Sequence, residues 1–171
     1  MPHPPTDQPI VRVRPAREAD VPFLLAMIKE LAAYEREPDA VRSTPESLRQ
    51  YLFGEGFGRG PSAEALVGEL GDRPVGAAIY FMNFSTWSGR PGLYLEDLYV
   101  QPQARRHGLG QLMLKELARI ARSRGCARME WSVLDWNEPA QNFYKTLGAR
   151  EMSGWHIWRM DAASIEELAG R

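Results

Sequence analysis

The residues of this sequence best suited to bind an anion lie between a predicted strand and a predicted helix. The segment LEDLYVQPQARRHGLGQLMLKEL places Arg105, Arg106, Gly108 and Gly110 where the helix would begin. A helix N-terminus offers unpaired backbone N–H groups and the positive end of the helix dipole, and glycines let an anion approach the backbone closely. These residue types at this spacing indicate a site for a pyrophosphate group.

Two common nucleotide-binding motifs do not match this junction. Met113 occupies the position of the third glycine in G-x-G-x-x-G, and G-x-x-x-x-G-K-[ST] does not occur in the sequence. A Rossmann or P-loop site is therefore not expected. For this segment taken alone, a glycine-rich helix start with solvated arginines remains the alternative.

The sequence offers no candidates for covalent or metal-assisted catalysis. It contains no Ser-His-Asp, Cys-His or metal-ligand spacing, so we expect no bound metal and no covalent enzyme intermediate. Cys126 is the single cysteine, which excludes an intrachain disulfide. We interpret it as a small buried thiol beside a strand.

The first part of the chain is predicted to contain one strand and two helices. Residues 1–9 include four prolines and are expected to form a disordered lead-in. Residues 10–14 alternate like a short strand, a helix follows through about Tyr34, and a second helix begins at Pro45. Apolar residues at helical spacing predict one buried face of the first helix: Phe23, Leu24, Met27, Ile28 and Leu31.

The middle of the chain is predicted to form three strands and a helix. Residues 63–70, 73–85 and 92–100 have strand-like patterns, and a turn at Gly71 and Asp72 would join the first two. The helix after the junction extends to about Arg124. Its predicted buried stripe consists of Met113, Leu117, Ile120 and Ala121.

The last part of the chain is predicted to add two strands and two helices. Residues 127–135 are apolar enough for an inner strand, and a helix capped by Asn137 follows. The segment WHIWRM, residues 155–160, predicts a closing strand, and a short polar helix ends the chain.

The order of these elements predicts the fold class. It is an α/β fold with a mixed sheet, mostly antiparallel, with one parallel strand pair and flanking helices. We find no internal repeat, and we expect residues 10–171 to form a single domain. The junction lies at the carboxyl end of the first parallel strand, where open α/β sheets bind ligands.

Composition narrows the class of partners. Lys and Arg number 21 against 22 Asp and Glu, giving a formal net charge of -1, so we expect neither a nucleic acid nor a membrane surface as partner. No apolar run approaches the roughly 20 residues of a membrane helix, and the N-terminus lacks the features of a signal peptide. We therefore expect a cytoplasmic protein.

The pattern R-x-x-G-x-G, from Arg105 to Gly110, resembles the acetyl-CoA pyrophosphate loop of the GNAT acyltransferase superfamily. The predicted element order resembles that fold over nearly the whole chain. Residues 28–35, 94–100 and 136–149 are further similar to the diamine (spermidine/spermine) N-acetyltransferases and their thialysine-acetylating relatives. The resemblance implies an acetyl-CoA-dependent amine N-acetyltransferase that forms a homodimer and acts by direct transfer.

The resemblance also implies which residues contact the coenzyme. The strand segment whose backbone would align the pantetheine arm is Leu98, Tyr99 and Val100. The loop around the pyrophosphate comprises Arg105, Arg106, His107, Gly108, Leu109, Gly110 and Gln111. Further coenzyme contacts would come from Asn137, Glu138, Pro139 and Ala140.

The resemblance assigns the remaining site residues to the acceptor amine and to proton transfer. Tyr144 matches the general acid, and its ordinary pKa near 10 would let it give a proton to the departing sulfur. Without the resemblance, Tyr144 would be an ordinary helix residue packed in the core beside Phe143. Residues matching the acceptor site are Tyr34, Glu35, Glu96, Asp97, Glu130, Trp131 and Ser132.

Glu96 and Asp97 compete for one role in the acceptor site. Adjacent side chains of a strand point to opposite faces, so at most one faces a cleft unless a bulge intervenes. We select Glu96 as the amine anchor and the start of a water-borne proton path. Such a path is needed because a primary alkylammonium of pKa near 10.4 is neutral in only about one molecule per thousand at physiological pH.

Two departures from the diamine branch bear on the acceptor. Met152 and Ser153 occupy the positions of an acidic pair before GW, and an extra residue after Trp87 brings Arg90 near the acceptor site. These changes favour a smaller amine, or a lysine-like amino acid whose carboxylate could use a cation. Acetylation of another amine, such as an antibiotic or a protein N-terminus, and a non-catalytic acetyl-CoA-binding module remain alternatives.

Overall fold

The computed structural model describes residues 10–58 and 60–170, so the predicted lead-in of residues 1–9 lies outside the described residues. The chain forms two compact units that divide between Ser132 and Val133. The expected single domain stays a prediction. In chain order, the strands and helices are β1 Val11–Pro15, α1 Val21–Tyr34, α2 Pro45–Phe53, β2 Glu64–Leu70, β3 Arg73–Ser85, β4 Arg90–Val100, α3 Leu109–Ser123, β5 Arg128–Glu130, α4 Glu138–Thr146 and α5 Ala162–Ala169.

The first unit is built on a five-stranded mixed sheet with the order β1-β2-β3-β4-β5. All neighbouring strands are antiparallel except β4 and β5, which are parallel. Gly71, with a φ of 63°, turns the hairpin between β2 and β3. The predicted mixed sheet with one parallel pair is confirmed.

The two faces of this sheet are covered by different helices. On one face, Leu24 and Met27 of α1 pack in a buried cluster with Val67, Ala77 and Ile79. The predicted apolar face of α1 is thereby confirmed. The spacing of the apolar residues predicted this face correctly, because a helix that buries one side needs apolar residues at helical spacing along that side.

Helix α3 packs closely against the other face. A Cβ at Gly68 would lie only 2.9 Å from Leu109 Cδ1 and 3.0 Å from Met113 Sδ. Gly68 therefore allows the first turns of α3 to approach the sheet. Met113 and Leu117 of the predicted stripe are fully buried, which fixes the N-terminus of α3 beside the carboxyl end of β4.

The inner strand predicted at residues 127–135 is wrong in length and in position. Only Arg128–Glu130 form β5, and β5 lies at the edge of the sheet. Its pairing with β4 ends at Tyr94, two residues before a β-bulge in β4. A bulge bends its strand, which accounts for the early end of the pairing. Cys126, just before β5, is half-buried rather than buried.

The closing strand predicted at residues 155–160 is also wrong. In the described part of the second unit, the regular elements are the helices α4 and α5. Trp155 and Trp158 are 70% and 92% exposed. Alternation of apolar residues is not sufficient for a strand, because a strand needs a partner for its backbone hydrogen bonds.

Both helices of the second unit have the predicted character. The side chain of Asn137 accepts a hydrogen bond from the backbone N–H of Ala140 at 3.3 Å and caps α4 as predicted. The side chain of Asp161 accepts from the N–H of Ser164 at 2.8 Å and caps α5. No helix in the described residues is long and apolar enough to cross a membrane.

Candidate active site

The loop before α3 is shaped by two residues with left-handed backbone. Arg106 has a φ of 66°, and Gly108, which precedes the first helical residue, has a φ of 77°. Gly108 provides no side chain to cap the first N–H groups of α3. The ring of His107 lies with Nδ1 3.0 Å from the carbonyl oxygen of Arg105, to which it can donate. This loop has the open helix N-terminus that suits an anion.

The strand edge beside this loop is only partly paired. Strand β4 pairs with β5 over the three residues Gly92 to Tyr94. Farther along, Leu98, Tyr99 and Val100 pair with β3 on the opposite edge. Among the described residues no strand continues β5 beside them. Such an edge can receive an extended ligand through backbone hydrogen bonds, as the predicted pantetheine contact requires.

Arg105 contacts aromatic rings at the start of the loop. Its guanidinium carbon lies 5.5 Å from the centroid of the Tyr34 ring and 5.6 Å from that of Tyr99. Its Nε donates to the carbonyl of Val100 at 2.9 Å. The predicted contact between Arg105 and the pyrophosphate stays a prediction.

A β-bulge occurs at the predicted acidic pair. Asp97 lies opposite Ile79 and Leu95 lies opposite Tyr80, so Glu96 is the extra residue of β4. Glu96 is exposed, whereas Asp97 is half-buried. The condition stated for both carboxylates to serve one site, an intervening bulge, is therefore met in the structure.

Two neighbouring carboxylates act on Asp97 at this point. Burial, followed by the negative charges of Glu96 and Glu35, raises the pKa of the Asp97 carboxyl to about 6. Burial also raises the pKa of Glu35, the residue after the last turn of α1. Asp97 is thus a carboxyl whose pKa lies near neutral pH. A carboxyl of this kind can hold an ammonium and exchange a proton near neutral pH.

The predicted acceptor residues Glu130, Trp131 and Ser132 lie at and just after the end of β5, within the first unit. The hydroxyl oxygens of Ser132 and Tyr94 are 2.9 Å apart, and Tyr94 lies three residues before Asp97 on β4. The Tyr94 ring packs 5.1 Å from that of Phe81. Glu130 forms an ion pair with Arg128 at 2.7 Å, and Trp131 is half-buried. Through its contact with Ser132, Tyr94 becomes a further candidate for the acceptor site, one that the sequence did not indicate.

Arg90 does not lie near the acidic pair, contrary to the prediction. It begins β4 opposite Ser85, and its Nε donates to the carbonyl of Gly125 at 3.0 Å. Seven residues of strand, at about 3.3 Å each, separate it from Asp97. The reason is the extended conformation of β4, which spaces residues that are close in sequence. Arg90 is therefore no candidate for binding an acceptor carboxylate beside Asp97.

The second unit contains the remaining predicted residues. Asn137, buried at the start of α4, is followed by Glu138, Pro139 and Ala140 in the first turn of that helix. Tyr144 is half-buried, and its ring lies 5.3 Å from that of Phe143. The coenzyme contacts of this turn and the proton-donor role of Tyr144 stay predictions.

Comparison with known proteins agrees with this fold. The sequence model of the Acetyltransferase (GNAT) family matches residues 24–149. A thialysine N-epsilon-acetyltransferase of Sus scrofa is 41% identical, and the alignment covers 94% of this chain and 98% of that protein. A spermidine/spermine N(1)-acetyltransferase-like protein 1 of Homo sapiens is 34% identical over 96% of this chain, which spans 24% of the relative's length.

Solved structures show the same architecture. An integron cassette protein from the mobile metagenome of V. cholerae superposes with a TM-score of 0.76 at 25% identity. The superposition covers 94% of this chain and 98% of that one. The mixed sheet and the glycine loop before α3 define an acyltransferase of the N-acetyltransferase class. The chain belongs to the acetyltransferase (GNAT) family, and it is an N-acetyltransferase.

Proposed function

We propose that this enzyme transfers the acetyl group of acetyl-CoA to the primary amine of a lysine-like amino acid or a small diamine. The observation that carries the proposal is the state of Asp97, a half-buried carboxyl whose pKa is raised to about 6. Asp97 follows Glu96 at the bulge of β4 and precedes the partly paired edge formed by Leu98 to Val100. The 41% identical relative named thialysine N-epsilon-acetyltransferase supports a lysine-like acceptor.

Asp97 is proposed as the principal anchor of the acceptor ammonium. With a pKa of about 6 it is mostly ionised at pH 7, and it can take up a proton through water as the amine becomes nucleophilic. Glu35 and Glu96 add negative charge around it, as their effects on its pKa show. This assigns to Asp97 the central role that the sequence analysis gave to Glu96.

The loop and the free strand edge are proposed to hold acetyl-CoA, which supplies the thioester when bound. The N–H groups at the start of α3 suit its pyrophosphate, and Leu98 to Val100 suit its pantetheine arm. The first turn of α4 would add further contacts. Tyr144 would donate a proton to the sulfur that leaves.

A small acceptor is favoured over a long polyamine. Met152 and Ser153 stand where the diamine branch has an acidic pair, so charge for a distal ammonium is missing there. Neither residue carries a negative charge that could pair with a second cation. The acceptor is therefore proposed to be held through one ammonium, which Asp97, Glu96 and Glu35 would bind together.

Release of CoA, measured at fixed acetyl-CoA, tests this function. The acceptors are putrescine, spermidine, spermine, lysine, thialysine, an aminoglycoside and a peptide. We expect lysine-like acceptors and short diamines to give the highest kcat/KM. Preference for the aminoglycoside or the peptide would contradict the acceptor class, and binding of acetyl-CoA with no CoA release from any amine would indicate a non-catalytic module.

We also propose that the enzyme is a homodimer. Large apolar side chains of residues 155–160 are exposed, including Trp155, Ile157 and Trp158. Exposed apolar surface of this kind is typical of a contact with another chain. The cytoplasmic location expected from the sequence stays a prediction.

A further inference from the structure

Arg105 joins residues that the predicted site roles keep apart. It begins the coenzyme loop, yet its guanidinium lies over the ring of Tyr34, an acceptor-site residue at the end of α1. The same guanidinium lies over the ring of Tyr99 on β4. Its Nε donates to the Val100 carbonyl at 2.9 Å, which fixes the plane of the group. Arg105 thus connects the loop, β4 and α1.

A second set of contacts connects β4 and α1. Tyr99 is only 8% exposed, and burial, followed by the negative charge of Glu30 on α1, raises the pKa of its hydroxyl. Gln101 Nε2 donates to Glu30 Oε1 at 3.1 Å. The bond from Gln101 to Glu30 therefore ties the end of β4 to α1 beside the buried Tyr99. Tyr99 is a rigid support against which Arg105 can hold the Tyr34 ring.

The end of α1 has a backbone that needs such support. Arg36 has a φ of 67°, where a helix end usually has glycine. Its N–H donates to Ala33 at 3.2 Å, and the N–H of Glu37 donates to Ala32 at 2.9 Å. A non-glycine residue in this conformation is strained and persists only where surrounding contacts determine it. Glu35, whose charge acts on Asp97, lies between Tyr34 and this residue.

We propose that Arg105 is a positioning residue whose guanidinium holds Tyr34 against Tyr99 and so fixes the end of α1, with Glu35, beside Asp97. This inference deepens the proposed function and rests on it. It assigns Arg105 to the acceptor side of the site, although the residue lies in the loop predicted to bind the coenzyme. Arg106 and the N–H groups of α3 remain the candidates for contact with the pyrophosphate.

The role depends on the shape of arginine rather than on its charge alone. A planar guanidinium can lie over an aromatic ring and donate in its own plane at the same time, whereas a lysine ammonium is a compact point charge. If Arg105 instead held the phosphate, any loss in Arg105→Lys would appear in the Kd of acetyl-CoA rather than in kcat/KM for the amine. Arg105→Lys therefore separates the two roles.

The kinetic test compares Arg105→Lys and Arg105→Gln with Arg119→Gln, which removes an exposed arginine on α3 that pairs with Glu116. We expect both Arg105 variants to lower kcat/KM for the amine about tenfold, because two ring contacts of this type are lost. The Kd of acetyl-CoA, measured by calorimetry, should change by less than about twofold. Arg119→Gln should match the wild-type enzyme in both quantities.

A double-mutant cycle tests whether Arg105 acts through Tyr34. Tyr34→Leu should lower kcat/KM for the amine, and adding Arg105→Gln to it should cost little more, since the partner ring is already absent. Tyr34→Phe keeps the ring and should stay sensitive to Arg105→Gln. Full additivity of Arg105→Gln and Tyr34→Leu would contradict the proposal.

Amide hydrogen exchange provides a readout that needs no activity. In Arg105→Gln we expect faster exchange at the amides of Glu35 and Glu37, which close the end of α1, and unchanged exchange at the centre of α3. Unchanged exchange at the end of α1 would overturn the proposal. Wild-type kinetics in Arg105→Lys would also overturn it, and so would an acetyl-CoA Kd raised about tenfold with an unchanged KM for the amine. A wild-type enzyme that acetylates no amine, with the exchange result as expected, would overturn the proposed function while the positioning of α1 stood.

Discussion

At the scale of single residues, the proposal that Asp97 anchors the amine rests on the burial of its carboxyl. The Asp97 pKa of about 6 implies an acid limb near that pH in kcat/KM. Asp97→Asn removes the charge at nearly constant volume, so we expect kcat/KM to fall about 10²-fold or more. We also expect the acid limb to disappear. Profiles of kcat/KM against pH at saturating acetyl-CoA measure both effects.

Glu96→Gln is the matched control for Asp97→Asn. It removes the same charge from the adjacent, exposed residue of the bulge. We expect a smaller loss and an acid limb moved to lower pH, because the negative charge of Glu96 helps to raise the pKa of Asp97. An equal or greater loss in Glu96→Gln would favour Glu96 as the anchor, as the sequence analysis selected it.

The proton-donor role of Tyr144 makes a separate prediction. Tyr144→Phe removes the hydroxyl and keeps the ring that contacts Phe143. We expect kcat to fall roughly 10²- to 10⁴-fold, with the Kd of acetyl-CoA nearly unchanged. Rapid-mixing and steady-state assays of CoA release measure kcat. Tyr51→Phe on α2 makes the same chemical change elsewhere and should leave kcat unaltered; a normal kcat in Tyr144→Phe would remove Tyr144 from the mechanism.

At the scale of elements, the loop before α3 has left-handed backbone at Arg106, a residue that is also proposed to contact acetyl-CoA. A non-glycine residue with left-handed backbone costs roughly 1–2 kcal/mol. Arg106→Gly should relieve part of this strain and raise the free energy of unfolding by up to about 1 kcal/mol, since the entropy cost of glycine offsets the rest. The same change removes a cation from the loop, so acetyl-CoA should bind more weakly. Denaturant unfolding and calorimetry measure the two effects.

Gly108→Ala provides the opposite change in the same loop. A Cβ at Gly108 would meet no atom within 4 Å, so the substitution adds backbone strain without a clash. We expect the free energy of unfolding to fall by about 1 kcal/mol. Arg106→Ala keeps the strain and removes the charge, and it should weaken coenzyme binding without raising stability. A gain in stability in Arg106→Ala would show that strain at this position is not the cause.

Much of the fold could be predicted because its signals are local. Strands β2 and β3 have strand patterns bounded by turn residues, and Asn137 has the residue type and place of a helix cap. The bulge at Glu96 could not be predicted, since it depends on the register between β3 and β4. The failure at residues 155–160 has a related cause. Their alternation describes side chains, whereas strand formation depends on a partner for the backbone.

The candidate site could likewise be predicted only where its signals are local. The glycines and arginines of the loop were predicted from residue type and spacing, and the structure confirms the helix start there. The proposed role of Asp97 rests on burial and on the charge of Glu35, which is distant in sequence. The contacts of Arg105 with Tyr34 and Tyr99 likewise depend on tertiary packing. No local pattern in the sequence contains this information.

At the scale of the whole molecule, the carboxylates of Asp20 and Glu69 make the free energy of unfolding depend on pH in one direction, and the carboxylate of Asp97 makes it depend on pH in the other. Arg14 holds Asp20 and Glu69 through hydrogen bonds, which lower the pKa of both carboxyls. Their contribution is complete above their ordinary values of 3.8 and 4.5 and is lost as pH falls below them. Asp97 has a raised pKa, so its burial destabilises the fold increasingly as pH rises from about 4 to 6.

Asp97→Asn should therefore stabilise the protein at pH 7 and not at pH 4. The gain at pH 7 should be about 1–2 kcal/mol, less than the full pKa change would give because Asp97 is partly exposed. Urea unfolding at a series of pH values measures it, with Glu96→Gln as the exposed control. A gain that is equal at pH 4 and pH 7 would show that it arises from packing rather than from ionisation.

The proposed homodimer makes the last prediction at this scale. Trp158 is 92% exposed, in a segment where Trp155 and Ile157 are also exposed. Covering such side chains stabilises association by roughly 25 cal/mol per Å² of apolar surface removed from water. Light scattering should therefore give twice the chain mass of 19.3 kDa, and Trp158→Ser should raise the dimer dissociation constant at least about tenfold. Phe57→Ser replaces an equally exposed aromatic residue of the first unit and should leave the dimer intact. A monomer at all concentrations would refute the homodimer, and equal effects of the two substitutions would place the contact elsewhere than residues 155–160.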